Sequence, residues 1–443
     1  MRRILRALTF FGCVAALVSQ AAVTPAQERP YDVLVAGGGA AGICAATAAA
    51  RAGAKTLLVD QSFQVGGNMT SGLVNGSGLF FAWGEQVIAG IGYELVTNTT
   101  VLSGAALPDQ SKWATTRHSK LSLRVNIPLF TAVCEEALVS AGVKILYFTS
   151  PAEAVREDDA WRVTLHLGGE TRIVRAKELV DCTGDGSLAA LAGARRLRET
   201  EHSPGTLRYI VANLPPRDQW PVEDMKNAYR AALADGTLRP GDTRDEIFGF
   251  DRFAGPFNNY IDDADSSTVE DRTRTDLKGR AAMLRAYRFF KRFPAFKDIE
   301  ITSCAAETGV RETYRVEGDV IVSGDDYVSG RTWEDAVCYS FYPIDLHVAR
   351  EGVVPKALKP GTKPTVPYRA LLAKGIDHLM MAGRCLSADR TAMAALRVTG
   401  TCMATGQVCG EAAAMAAQQN LSPRQVRLEE LRNRLRAAGA IVP

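Results

Sequence analysis

The chain is poor in the residues that build metal centres. Its 443 residues include only five histidines, none paired at ligand spacing. Nine cysteines contain no Cys-x-x-Cys, which excludes the common zinc and dithiol motifs. An excess of one charge is also missing. The formal net charge is +3, and Arg2, Arg3 and Arg6 account for it; without them the basic and acidic residues are equal, at 49 each. That balance leaves no electrostatic footprint for nucleic acid or an anionic membrane surface. Beyond the first residues no apolar run is long enough to span a bilayer. Internal repeats and low-complexity linkers are absent too.

What is present begins with an export pattern. A basic start precedes the apolar run Ala7 to Val18, then small residues with cleavage expected after Ala21 or Ala26. Residues 1–26 therefore read as a signal peptide, and the mature protein as periplasmic or secreted, without stable membrane insertion. Arg2-Arg3 leaves the general and twin-arginine routes both open. Cys13 falls within this segment. Of the remaining cysteines, Cys44, Cys182, Cys402 and Cys409 sit in apolar patterns and read as small core residues. Length favours two domains, and 47% apolar with 23% charged residues is ordinary for a globular protein.

The strongest local signal is Asp32-Val-Leu-Val-Ala-Gly37-Gly-Gly39-Ala-Ala-Gly42, which ends 18 residues before Asp60. It predicts a buried strand, a glycine turn, a helix over Ile43 to Ala52 and a second strand, Lys55 to Val59, closed by an acid. Gly37 permits the tight turn, Gly39 lets main-chain N–H groups approach a pyrophosphate, and Gly42 lets the helix pack closely. The helix opening attracts phosphate, and Asp60 is placed to accept hydrogen bonds from a ribose diol.

Further along, Asn126 to Ala141 predicts an amphipathic helix with Pro128 in its first turn, and Val143 to Phe148 a strand. Trp161–His166 and Thr171–Arg175 alternate apolar and polar residues, as a small antiparallel ribbon does over about 155–178. Glu178 to Gly186 reads as a separate strand ending in a glycine turn. Composition turns to Arg, Asp, Pro and aromatics after Ala194. The expected organisation is α/β: a Rossmann-type domain over 30–194, an inserted α+β substrate or cap domain over 195–374, and a return over 375–443 that ends in a helix.

Several separated motifs occur in one order: Gly37-Gly-Gly-Ala-Ala-Gly42, Gly66-Gly-Asn-Met-Thr-Ser-Gly72, Cys182-Thr-Gly-Asp-Gly186, Thr308-Gly-Val-Arg-Glu-Thr313, Tyr342-Pro-Ile-Asp-Leu-His347, Val366-Pro-Tyr-Arg369, Ala382-Gly-Arg-Cys385 and Arg397 to Gln407. With them the chain resembles the FAD-dependent oxidoreductases related to the fumarate-reductase and succinate-dehydrogenase flavoproteins. The resemblance implies FAD extended across the Rossmann-type domain. The turn, with Ala40 and Ala41, would take the pyrophosphate, and Asp60 with Gln61 beside it the adenosine ribose. Gly67, Asn68, Met69 and Thr70 would line the flavin. Ala152 would meet the adenine through its backbone. Thr183, Gly184 and Asp185 would lie against the diphosphate–ribose region, and Gly383 and Arg384 against the ribityl chain. Thr401, Cys402 and Met403 would open a helix toward the flavin N1/O2 edge, where a helix N-terminus stabilises negative charge. No His lies between Asp60 and Met69, so a covalent link of the kind found in some relatives is unsupported.

A flavin enzyme must hold a substrate C–H beside the cofactor and manage a proton. His347 is the best base candidate, because Asp345 two residues earlier can share its strand face and set its tautomer and pKa. Arg311 and Arg315 are four apart, able to share a helix face or to lie closer together in a turn, and to bind a carboxylate or sugar hydroxyls. The expected partners are a small-molecule substrate and an electron acceptor. The reading is an exported FAD-dependent oxidoreductase transferring hydride. The alternatives are a soluble fumarate-reductase-like reductase of activated double bonds, or a flavin-binding electron-transfer subunit without its own substrate site.

Overall fold

Val33 to Ala36 are completely buried in the first strand, as a strand covered on both faces requires. The computed structural model describes residues 30–116, 118–243, 257–348 and 352–443; the export segment at 1–26, with Arg2, Arg3, Arg6 and Cys13, lies outside them. The first strand, β1, is Tyr31–Ala36. Helix α1 is Ala40–Arg51. It starts three residues before the expected Ile43, because Gly39 takes the extended N-cap conformation. β2 is Thr56–Val59. α2, Ile127–Ser140, is capped by the Asn126 side chain, which accepts the Leu129 N–H at 3.2 Å. β3 is Lys144–Leu146, β4 Thr149–Glu157, β5 Ala160–Leu167 and β6 Glu170–Asp181.

The inserted segment begins with β7, Arg208–Ala212, and α3, Val222–Ala234. β8, Phe257–Asn258, α4, Val269–Phe290, and β9, Glu300–Cys304, follow. Then come β10, Ile344–Val348, and β11, Gly352–Lys356. The chain returns through β12, Leu379–Met381, to α5, Thr399–Gln419, and ends in α6, Leu428–Ala437.

The main sheet runs β3-β2-β1-β6-β5-β4, with β12 also paired to β6. β1, β2, β3, β6 and β12 are parallel where they meet, while β4, β5 and β6 form an antiparallel meander. The chain is thus an α/β protein built on a Rossmann-type domain. The two strands expected near 171–175 and 178–182 are one strand. The first half of β6 pairs β5 and its second half pairs β1 in parallel; Ala176 faces both Trp161 and Tyr31. No turn residue interrupts 170–181, so the ribbon is an extension of the main sheet.

α1 and α5 pack against each other through small residues. A Cβ on Gly406 would lie 2.8 Å from the Cα of Ala41, and one on Gly410 2.9 Å from the Cα of Ala45. A separate aromatic core, with Tyr209, Met225, Phe289, Phe290, Phe296 and Ile299, joins β7, α3, α4 and β9. Val322, Tyr327, Val337, Ile344, Val366 and Tyr368 instead bury themselves in the core of α1 and α5. The separate core is therefore narrower than the 195–374 span read from composition. Among the described residues no helix is long and apolar enough to cross a membrane, no group of His, Cys, Asp and Glu can hold a metal ion, and eight cysteines are free.

Candidate functional site

The carboxyl ends of β1, β2, β6 and β12 open onto one cavity of about 1660 Å³. Parallel strands fed by short connections place their ligand crevice at this end, and a volume above about 1,000 Å³ exceeds an ordinary single-ligand pocket. Gly37 (φ +98°) turns the chain out of β1, and a Cβ there would strike the Cys182 carbonyl group. Nothing lies within 4 Å of a Cβ built on Gly39; the space above it is cavity. Gly42 closes the turn from within, since a Cβ there would collide with the Gly37 carbonyl. Ala40 and Ala41, in the first turn of α1, line the cavity and point amides that no helical carbonyl takes.

Asp60 and Gln61 line the same wall. The Asp60 carboxylate accepts the Gly38 N–H and, at 2.6 Å, the Ser62 N–H. Burial raises its pKa, against the pull of those two bonds. Gly67, Asn68 and Met69 form a short 3-10 turn beside Gly39 and line the cavity; Thr70 does not. It is buried, with its hydroxyl donating to the Val65 carbonyl at 2.8 Å. Thr149, Ser150 and Pro151 line the wall, and Ala152 next to them does not. The β4–β5 register shifts between Pro151 and Glu153, which makes Ala152 a bulge residue with no partner in the ladder.

Thr183, Gly184 and Asp185 follow β6 into the cavity. Fully buried Asp181 organises them by accepting the Thr183 N–H and hydroxyl at 2.9 and 2.7 Å and the Ala189 N–H at 2.7 Å. Gly383 and Arg384 follow β12. The Arg384 guanidinium lies against Gly184 and pairs with Asp185 at 2.6 Å.

At the far end Val398, Thr399 and Cys402 line the cavity. The expected trio Thr401, Cys402 and Met403 needs correction. α5 begins at Thr399, with Val398 as N-cap, so Thr401 to Met403 already lie inside its first turns. The Cys402 N–H donates to the Val398 carbonyl and the Gly400 N–H to the Ser77 carbonyl. The amides of Thr399 and Thr401 are the ones left without a partner among the described residues. The Thr401 hydroxyl bonds Ser340 at 2.8 Å, and Met403 is buried against Gly92.

Both glycine-rich and C-terminal helix openings thus face one cavity, the geometry an extended dinucleotide needs. A family model described as FAD dependent oxidoreductase matches residues 32–435. The chain belongs to the FAD-dependent oxidoreductases. Among curated proteins, this oxidoreductase is 25% identical over 192 residues to the digeranylgeranylglycerophospholipid reductase of Methanocaldococcus jannaschii. The match covers 43% of this chain and 47% of that one, so the chain spans about half the length of this curated relative. A geranylgeranyl bacteriochlorophyll reductase-like structure from Thermoplasma acidophilum aligns at 14% identity and a TM-score of 0.43, covering 92% and 84% of the two chains. The p-nitrophenol 4-monooxygenase of Pseudomonas putida DLL-E4 aligns at 12% and 0.43, covering 93% and 88%.

The catalytic candidates of this FAD-dependent oxidoreductase separate. His347 lines the cavity though only 3% exposed. Its Nε2 lies 3.0 Å from Asp345 Oδ2 and its Nδ1 3.0 Å from the Tyr260 hydroxyl. Burial lowers its pKa, Arg311 adds to that, and Asp345 opposes it. Burial tends to raise Asp345, but the His347 bond and the Arg397 charge hold it down to about 2. Arg311 lines the cavity, donates to the Pro204 carbonyl and lies over the Tyr260 ring at 5.6 Å. Arg315 contradicts its assignment: it sits in the short strand Arg315–Val316, shares no helix face with Arg311 and is absent from the cavity wall. Its guanidinium is buried on Glu199, at 2.5 Å, and on the Ala388 carbonyl, at 2.8 Å.

Sequence reasoning missed the cavity-lining Tyr260, Arg124, Arg272 and Glu307. Arg272 pairs with Glu307 at 2.8 Å, and burial raises the Glu307 pKa. None of these carries a motif. They meet the cavity only through the packing of the inserted segment and, for Arg124, the approach to α2.

Proposed function

We propose that the protein is an exported FAD-dependent oxidoreductase that moves hydride between a small organic substrate and the flavin. The observation that carries this reading is one cavity that reaches from Asp60, past the opening of α1, to the opening of α5 and the Asp345–His347–Tyr260 cluster beyond it. The residues fit FAD. Asp60 would take a ribose diol, the amides of Ala40 and Ala41 the diphosphate, and the amides of Thr399 and Thr401 the electron-rich flavin edge. The cofactor, when bound, supplies the electron sink. The chain's own side chains bind and orient the substrate and handle its proton. A bare electron carrier needs no cavity of this size, so a substrate site of its own fits better.

A second reading, reduction of activated double bonds in the manner of fumarate reductase, draws support from Arg124, Arg208, Arg311, Arg397 and His347, which share this wall. One experiment separates the two. The purified protein is mixed anaerobically with D-glucose, glycolate and benzyl alcohol, and after chemical reduction of its flavin with fumarate. Bleaching by an alcohol supports the first reading, and reoxidation by fumarate the second. A colourless protein that ignores added FAD overturns both. Export is tested by fractionating cells for a chain shortened at about residue 26; full-length protein in the cytoplasm overturns it.

A further inference from the structure

The hydrogen bonds around His347 leave one consistent arrangement of protons. A carboxylate only accepts, so Asp345 takes the Nε2–H at 3.0 Å. Burial and the neighbouring Arg311 favour the neutral imidazole, so Nδ1 carries a lone pair and accepts the Tyr260 O–H at 3.0 Å. The other charged groups facing the pair are Arg311, over the Tyr260 ring, and Arg397, which donates to the Asp345 carbonyl at 2.9 Å and lies 3.4 Å from its carboxylate. Both nitrogens of His347 are therefore engaged. The base expected at His347 reaches a substrate only through the phenol, and Tyr260 lines the same cavity.

We infer that Tyr260 is the catalytic residue that exchanges the substrate's proton, with His347 and Asp345 as positioning residues behind it. The inference rests on the hydride-transfer reading. For an alcohol, the substrate O–H bond breaks and its proton joins the Tyr260 oxygen. The original Tyr260 proton passes to Nδ1, which leaves an imidazolium held by the Asp345 carboxylate. FAD, when bound, would supply the two-electron oxidant for the substrate's C–H bond, so that the C–O bond becomes a carbonyl. Reduction runs the same path backward.

The test uses the full-length holoprotein and its Tyr260→Phe, His347→Gln and Asp345→Asn variants. FAD content checks that each folds. Nitrogen-15 NMR of the histidines is read without turnover: Tyr260→Phe shifts the Nδ1 resonance of His347 toward an acceptor without a donor, and an unmoved resonance overturns the relay. Anaerobic flavin bleaching with D-glucose, glycolate and benzyl alcohol then gives the rate. Tyr260→Phe slows it by roughly 10²- to 10⁴-fold and removes the solvent deuterium effect, with FAD content unchanged. His347→Gln slows it less and flattens the acid limb of the pH profile. A Tyr260→Phe variant that bleaches at the wild-type rate overturns the inference alone. A wild-type protein that none of the three alcohols bleaches overturns the hydride reading, and the inference falls with it.

Discussion

Replacing both Gly406 and Gly410 by alanine sets two physical effects of opposite sign against each other. Helix propensity alone favours the change: Ala exceeds Gly in a helix interior by about 1 kcal/mol per site, a gain of about 2 kcal/mol for the pair. Packing opposes it. The new methyl groups would lie 2.8 Å from the Cα of Ala41 and 2.9 Å from the Cα of Ala45, closer than carbon atoms approach without repulsion. Those contacts are to α1 backbone, which has no rotamer to change. Overpacking of this kind costs about 1–3 kcal/mol per site, and backbone contact puts both sites near the upper end. The expected net loss is about 2–4 kcal/mol. Separating the helices also displaces the α5 opening from that of α1, so flavin retention should fall more than stability alone explains. Denaturant unfolding of apo and holo protein, with flavin absorbance of the purified fraction, measures both. Adding Ala41→Gly should not rescue, because the obstruction is main chain. A double variant more stable than wild type, with full flavin content, would refute the close-contact reasoning.

Asp60→Ala removes the acceptor of the Gly38 and Ser62 N–H groups and should weaken FAD binding roughly 10- to 100-fold, read by fluorescence titration of apoprotein. Arg315→Met breaks the pair with Glu199, itself 41% exposed, so the loss should stay near about 1–3 kcal/mol while bleaching rate per bound flavin is unchanged; a selective rate loss would return Arg315 to the site. Glu178, buried against His378 at 2.7 Å with Oε2 unpartnered, is pushed up to about 7 by burial. The folded state then holds a proton that the unfolded chain has released, so stability falls as pH rises from about 4.5 to about 7. Glu178→Gln should remove that slope, and urea midpoints across this window check it.

The βαβ start was legible because its signals are local: Gly37, Gly39 and Gly42 act within one turn, and Asp60 closes the next strand. The helix α2 was legible for the same reason, since Pro128 marks its first turn locally. The continuity of β6 was not, because nothing in a strand's own residues says that its partner changes from β5 to β1 midway. The Arg311/Arg315 pairing failed because spacing of four implies a common face only if a helix forms, and this segment is extended with Arg315 turned inward. Tyr260 could not have been found locally: it meets His347 across 87 residues, in a loop with no recurring pattern.

The cations around the cavity bear on how ionic strength acts. Arg384 is already neutralised by Asp185, Arg272 by Glu307 and Arg397 by Asp345. A diphosphate arriving at the opening of α1 therefore meets oriented peptide dipoles, with the guanidinium of Arg384 already paired to Asp185. Dipolar capture of this sort falls off within the first helical turn and is short-ranged compared with the screening length of about 8 Å in physiological salt. Flavin affinity should accordingly stay nearly constant from dilute buffer to concentrated sodium chloride, whereas a site built on unpaired arginines would lose its ligand as salt is added.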